Sequence, residues 1–197
     1  MTAIARRAAA WCGLALLCAG PAGASQPDAL QRIAFDQASS RFGFELRTRW
    51  GATLGGHFPR HEGSLEYLAD GRQRVRLRML TRYVEIEGSK RYTELTRSAR
   101  FFDAERYPTV NFVSEPYDES LLKNGGPLAG NLTIRGITRS KTLTVAPSAC
   151  GRPAHDCDVV ATGAVRRSDY GMDAWTLAVS DRVVFVLRAR LAPGSRP

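Results

Sequence analysis

The most constraining stretch of the chain is Arg74-Val75-Arg76-Leu77-Arg78-Met79, in which a basic and an apolar residue alternate without a break. A helix would scatter those apolar side chains around its circumference, whereas successive residues of a strand point to opposite faces. The segment is therefore predicted as a strand with one aliphatic face and one face of guanidinium groups. The same period of two recurs along the chain. Phe42, Phe44 and Leu46 alternate with Gly43 and Glu45, Val110 and Phe112 flank Asn111, and Leu128, Leu132 and Ile134 share a parity with Gly130. Leu143 with Val145, the run Val159 to Val165 and the run Val183 to Leu191 supply further strands.

Turn chemistry separates these runs at Asp70-Gly71, Asn124-Gly125-Gly126-Pro127, Arg135-Gly136 and Ser180-Asp181, where the chain is expected to reverse. One interval does not alternate. Between Glu87 and Arg106 the spacing of Tyr92, Leu95, Ala99 and Phe102 predicts a short helix, capped by Ser89 and ended by Tyr107-Pro108.

The amino terminus reads as a secretory leader: Arg6 and Arg7, an Ala- and Leu-rich stretch, then the small-residue site Ala22-Gly23-Ala24. The apolar stretch is shorter than the roughly 20 residues of a spanning helix. The expected division is thus residues 1–24 as leader and 25–197 as one domain, exported to the periplasm. Removing the leader takes two arginines and no acid from a formal net charge of +9, so the remainder stays basic. Export makes nucleic acid an unsuitable partner and leaves anionic membrane or an anionic head group. The leader also removes Cys12 and Cys18, leaving Cys150 and Cys157 in an oxidising compartment, where a disulfide is the natural reading. A metal site from Cys150, His155 and Cys157 is the alternative, at a spacing unlike established zinc sites.

Many short antiparallel strands in one domain leave a sandwich or a closed barrel open. Signatures of catalysis are few. Gly-x-Ser-x-Gly, a phosphate loop and a dinucleotide fingerprint do not occur. His57 and His61 are four apart but are interrupted by Pro59 and have no evident third ligand. Asp103 and Asp169 sit beside aromatic residues, as raised-pKa acids or as ties for loops. No catalytic residue, metal ligand or covalent cofactor is assigned, and the expectation is a binding protein and not an enzyme.

The order of motifs resembles the YceI family. Ser40-x-Phe42-x-Phe44, Gly56-x-Phe58 and Gly63 with Leu65 come first, followed by Leu95-x-x-Ser98-x-x-Phe101-Phe102-Asp103-Ala104-x-x-Tyr107-Pro108-Thr109-Val110-x-Phe112-x-Ser114. Gly130 to Thr138, Arg167-x-Asp169-Tyr170-Gly171-Met172 and the final valine-rich strand complete a match over nearly all of residues 33 to 191. The Cys150 to Cys157 loop is outside that pattern and reads as a local staple on a hairpin. The resemblance implies a mainly β protein, a lipocalin-like antiparallel barrel of about eight strands with one short helix. It also implies an apolar interior that binds a long isoprenoid chain such as ubiquinone or a polyprenyl diphosphate, or another amphiphile.

By parity, the expected wall of that interior is Phe42, Phe44, Leu46, Phe58, Val75, Leu77, Phe101, Phe102, Val110, Phe112, Leu132, Ile134, Val184 and Val186. Trp50 and Trp175, both near turns, are candidates to gate the mouth, and Trp175 joins the ligand-binding set. The ladder Arg72, Arg74, Arg76 and Arg78 reads either as a solvated strand face or as a basic surface for anionic lipid. Three roles are consistent with such a protein: a lipid carrier, an accessory passing a bound quinone to a membrane cytochrome, or a scavenger of hydrophobic compounds. The oligomeric state, a dimer included, stays open.

Overall fold

The alternating arginine segment forms the strand the periodicity predicts, and its neighbours extend it into a single antiparallel sheet. The computed structural model describes residues 29–194, so the leader and its cleavage site lie outside the described residues. The strands are β1 (Ala29–Ala34), β2 (Arg41–Thr48), β3 (Thr53–His57), β4 (His61–Leu68), β5 (Gln73–Leu80), β6 (Glu85–Ile86), β7 (Thr109–Ser114), β8 (Gly126–Ile134), β9 (Ile137–Val145), β10 (Val159–Arg166) and β11 (Val179–Ala189). Their order in the sheet is β1-β4-β5-β7-β8-β9-β10-β11-β2-β3-β6. The described residues form 11 strands in place of about eight; β1, β3, β4 and β6 are the strands beyond those that the alternation marks.

The sheet curls so that its inner face meets itself. Phe35 leaves β1 and donates its N–H to Gly63 O (2.8 Å), then Asp36 N–H reaches Arg190 O (2.8 Å) and Ala192 N–H reaches Ala34 O (3.1 Å). The first strand is thereby tied to the end of the last, and the barrel is drawn together at that end. The β8–β9 hairpin turns on Arg135 and Gly136, with φ of 51° and 73°, the left-handed pair that a two-residue turn between twisted strands requires. The disulfide Cys150–Cys157 is formed in the β9–β10 connection. It commits both thiols that the alternative metal site would need.

Among the described residues two short α-helices cover the barrel instead of one. α1 (Lys90–Arg97) begins at Ser89, whose hydroxyl accepts from Tyr92 N–H, as expected of an N-cap. It stops at Ser98 and does not run on to Tyr107-Pro108, because Ser98 N–H and hydroxyl turn back onto Leu95 O and the chain folds under the helix. Phe102 N–H reaches Thr96 O, and Asp103, at φ 49°, sends its N–H to Ser98 O. Phe102 is thus buried from a turn and not from a helix face. α2 (Ser120–Asn124) is a single turn that seats Leu122 against the opposite end of the core.

Two expectations fail in the last strand. Ser180-Asp181 is not a reversal: β11 runs through it with a register irregularity against β2 between Val179 and Val183. The reversal occurs earlier, in the loop after Tyr170. Val184 and Val186 do not face the interior, since Phe185 pairs with Phe44 and Leu187 with Phe42, which places Val183, Phe185 and Leu187 on the inner face. A run of five consecutive apolar residues carries no parity of its own, so only the pairing decides it.

Candidate functional site: an apolar interior with one rimmed mouth

The inner face encloses a cavity of about 200 Å³. Phe44 and Leu46 from β2, Ile134 from β8, Val165 from β10 and Val183 and Phe185 from β11 form its strand walls. Tyr92, Leu95 and Thr96 of α1, with Phe101 and Phe102 behind them, form a side wall. Three rings pack together beneath it: Phe102 meets Phe58 and Phe44 edge-on at 5.7 and 6.2 Å, and Phe44 and Phe58 lie tilted at 5.6 Å. Gly56 permits this packing. A Cβ there would lie 2.4 Å from Phe44 Cζ and 2.8 Å from Ile86 Cδ1, so any side chain would push Phe44 into the cavity.

A second void of about 50 Å³ lies toward the end closed by α2 and the disulfide loop, lined in part by Phe42, Val75, Leu77, Phe112, Tyr117 and Leu122. A third, about 20 Å³, has Leu132 in its wall and adjoins both. It shares Val165 and Phe185 with the large cavity and Phe112, Leu143 and Leu187 with the closed one. The interior is therefore a line of three largely apolar spaces whose walls share side chains, with Lys141 and Thr142 in the wall of the middle one.

Of the residues predicted to line it, Phe44, Leu46, Phe101, Phe102, Ile134 and Trp175 border the large cavity, and Phe42, Val75, Leu77, Phe112 and Leu132 border the smaller two. Phe58 and Val110 are buried core that borders none of them. Sequence reasoning missed Leu54, Ile86, Leu95, Met172, Val179 and Phe185. Leu95 stood in the helical pattern, and Phe185 becomes legible once β11 is paired with β2.

The polar groups of the interior are few. Arg167, 2% exposed, borders the large cavity and spends its guanidinium on the carbonyl oxygens of Met172, Ala174, Val179 and Ser180. Burial pulls its pKa down, and the charges of Asp181 and Asp173 oppose that pull. At the closed end the Tyr117 hydroxyl is buried without a hydrogen-bond partner, and burial pushes its pKa up. His61 packs edge-on against Phe42 at 4.4 Å with Nδ1 3.0 Å from Phe58 O, while His57 lies 3.8 Å from Glu85. The pair is thus split between two environments. Asp169 meets Lys141 at 3.4 Å and its carbonyl accepts from Arg139, tying β9 to the turn after β10.

The arginine ladder is largely neutralised on the outer face. Arg72 meets Asp70 (2.7 Å), Arg74 and Arg76 meet the buried Glu66 (3.7 and 2.8 Å), and Arg78 meets Glu62 (3.5 Å). Trp50 and Trp175, by contrast, both stand at the mouth of the large cavity.

A lipocalin-like sheet curled around an apolar interior defines the class of protein. The chain belongs to the YceI-like family, whose domain model matches residues 34–191. Comparison with curated proteins yields no match. Among solved structures, the chain is similar to BcnA of Burkholderia cenocepacia, with a TM-score of 0.65, 20% identity and coverage of 80% of this chain and 99% of that one. It is also similar to a polyisoprenoid binding domain from Saccharophagus degradans implicated in plant cell wall breakdown, with a TM-score of 0.59, 16% identity and coverage of 81% and 98%. The Campylobacter jejuni YceI protein gives a TM-score of 0.51 at 18% identity, covering 70% and 84%. At these identities the likeness is one of fold.

Proposed function

We propose that this protein is an exported binding protein that holds the tail of a polyisoprenoid lipid in the barrel interior and works in the periplasm. The observation that carries the reading is the line of three largely apolar spaces whose walls share Val165, Phe185, Phe112, Leu143 and Leu187. Burial of an alkyl chain contributes about 0.8 kcal/mol per CH₂, so a carrier needs a long slot with few polar groups more than it needs directed contacts. The described residues lining the large cavity include no carboxylate, imidazole or thiol, which supports binding over catalysis. Membership of the family and the polyisoprenoid-binding neighbour support the choice of lipid class.

Size sets a condition on this reading. An apolar cavity of about 150 Å³ accepts a molecule the size of benzene, so the space of about 200 Å³ takes only a short piece of chain. A longer tail must turn aside Val165 and Phe185, then Phe112, Leu143 and Leu187, and join the three spaces. Native mass spectrometry of protein purified from the periplasm without added lipid, followed by organic extraction, tests it. One bound isoprenoid per chain is expected. An interior free of lipid in protein from its own host would overturn the proposal. Identifying the extracted head group and titrating its redox state distinguish ubiquinone from a polyprenyl diphosphate, and a carrier from a quinone-linked accessory.

A further inference from the structure

The mouth of the large cavity carries a surface that a ligand-holding barrel does not require. Seven large apolar side chains are exposed among the described residues, and four of them, Trp50, Tyr92, Trp175 and Leu177, gather there. Trp50 is 80% and Leu177 85% exposed, values that leave nearly the whole side chain in water. Trp50, Tyr92 and Trp175 border the opening, and Leu177 precedes Ala178, which borders it too. Exposed apolar residues collected in one place mark an interaction site, whereas scattered ones do not.

The rim is built, not loose. Trp175 has φ of +60°, a conformation that bulky residues adopt only under constraint. Its carbonyl accepts from Ala178 and Val179 N–H, and the Arg167 guanidinium holds the carbonyl just before it. Arg49 N–H donates to Ala178 O, joining this loop to the β2–β3 turn that displays Trp50.

Charge identifies the partner. The segments forming the rim carry Arg47, Arg49, Lys90, Arg91, Arg97 and Arg100 against Glu45, Glu87, Glu94 and Asp173, an excess of two positive charges, with Lys90, Glu94 and Arg97 on the far side of α1, in a groove with Glu85. None of these cations is in an ion pair with a described carboxylate, unlike the ladder on β5, where every arginine has one. Tryptophan and tyrosine favour the interface between lipid head groups and acyl chains, and unpaired arginine and lysine favour anionic head groups.

We propose that the rim formed by Trp50, Tyr92, Trp175 and Leu177, with its surrounding cations, docks onto the surface of an anionic lipid bilayer and opens the cavity toward the membrane. The direction of lipid transfer rests on the carrier reading above; the docking itself does not. The exported protein, with its mass confirming removal of the leader, retains only Trp50 and Trp175 as tryptophans, so its emission reports the rim directly.

The test is co-sedimentation and tryptophan emission with vesicles of phosphatidylcholine, with and without phosphatidylglycerol. Binding and a blue shift are expected on the phosphatidylglycerol vesicles, with loss in high salt as the charges are screened. The double variant Leu177→Ser, Arg91→Glu should weaken binding at least tenfold while keeping its circular dichroism and its extracted lipid content. Docking is overturned if the folded protein binds neither vesicle, if neutral vesicles bind it equally well, or if the double variant binds unchanged. Extracted isoprenoid without vesicle binding removes the docking and leaves the carrier standing; vesicle binding by a protein with no isoprenoid does the reverse.

Discussion

Arg167 Nη1 donates to the carbonyl oxygen of Ala174 at 2.5 Å, so a buried cation at the end of β10 holds the residue immediately before Trp175. The same guanidinium reaches Met172, Val179 and Ser180, both arms of the loop between β10 and β11. Among the described residues no carboxylate forms an ion pair with it; carbonyl dipoles meet its charge in place of a counter-ion. Asp181, kept on the outside, pins the same turn by accepting from Ser168 N–H and hydroxyl at 2.9 and 2.8 Å. One planar side chain thus joins the backbone bonds at Trp175 and Ala178 in setting the shape of the cavity mouth.

Replacing Arg167 by Met removes the donors from four carbonyl oxygens in one step. At about 1 to 3 kcal/mol for each buried acceptor left unpaired, with water reaching some of them, the expected loss is about 3 kcal/mol or more. Arg167→Lys should recover little, because one ammonium cannot span the fork that the guanidinium spans. Urea unfolding of the three proteins checks both statements. A midpoint unchanged in Arg167→Met would show that the loop is held by other means.

Phe185 and Val186 are neighbours in sequence and sit on opposite faces of β11. Phe185→Ala should cost about 3 to 5 kcal/mol as a core truncation and widen the passage between the large cavity and the next. Val186→Thr, on the outer face, should stay within about 1 kcal/mol. Thermal unfolding checks the costs, and the amount of copurified lipid checks the passage. Equal effects at the two positions would contradict the pairing of Phe185 with Phe44.

Those two residues also show what the sequence could disclose. Where polar and apolar residues alternate, as from Arg74 to Met79 or Phe42 to Leu46, side-chain direction follows from the backbone pleat alone. From Val183 to Leu187 every residue is apolar, both parities look equally internal, and only hydrogen bonding to β2 selects one. β3 and β6 were invisible for a different reason. Thr53-Leu54-Gly55-Gly56-His57 has too little apolar content to read as a strand, and Glu85-Ile86 is too short; β3 forms because β2 offers an edge, and β6 because β3 then offers the next. Much of the mouth lies on a helix and a loop whose contacts are set by tertiary packing. Leu95, Met172 and Arg167 could be noticed in the sequence but not placed around a common space.

Glu66 has 1% of its side chain exposed on the outer face, with Arg32, Arg74 and Arg76 around it. Arg74 is itself 5% exposed, so its charge has no other escape. Glu66→Gln removes the only anion of this cluster and leaves Arg74 buried without a counter-charge, a change expected to cost about 3 to 5 kcal/mol. Glu62→Gln, at an exposed pair on the same strand, should cost under about 1 kcal/mol. Chemical denaturation of the two variants side by side checks the contrast, and a small effect at Glu66 would mean that water already screens the cluster.

Tyrosines set the alkaline limit of the fold. Tyr170 is fully buried, and burial, with the charge of Asp169 second, pushes its pKa up to about 12, while Arg139 opposes the shift. Burial raises Tyr117 and Tyr67 as well. A raised folded pKa means that the unfolded chain loses its phenol protons first. The stabilisation is therefore complete below about pH 10 and is lost as pH rises from there through the folded values. The share of the tyrosinate absorbance that belongs to the buried Tyr117 and Tyr170 should appear together with the loss of circular dichroism, since ionisation of those rings requires unfolding, whereas the exposed Tyr83 and Tyr92 are free of that requirement. The Tyr117 hydroxyl has no partner in the interior, so Tyr117→Phe removes a buried polar atom without breaking a hydrogen bond. It should leave neutral stability unchanged or slightly raised and shift alkaline unfolding to higher pH. A clear loss of stability at neutral pH would instead show that the hydroxyl is satisfied, by water or by the polar end of a bound lipid.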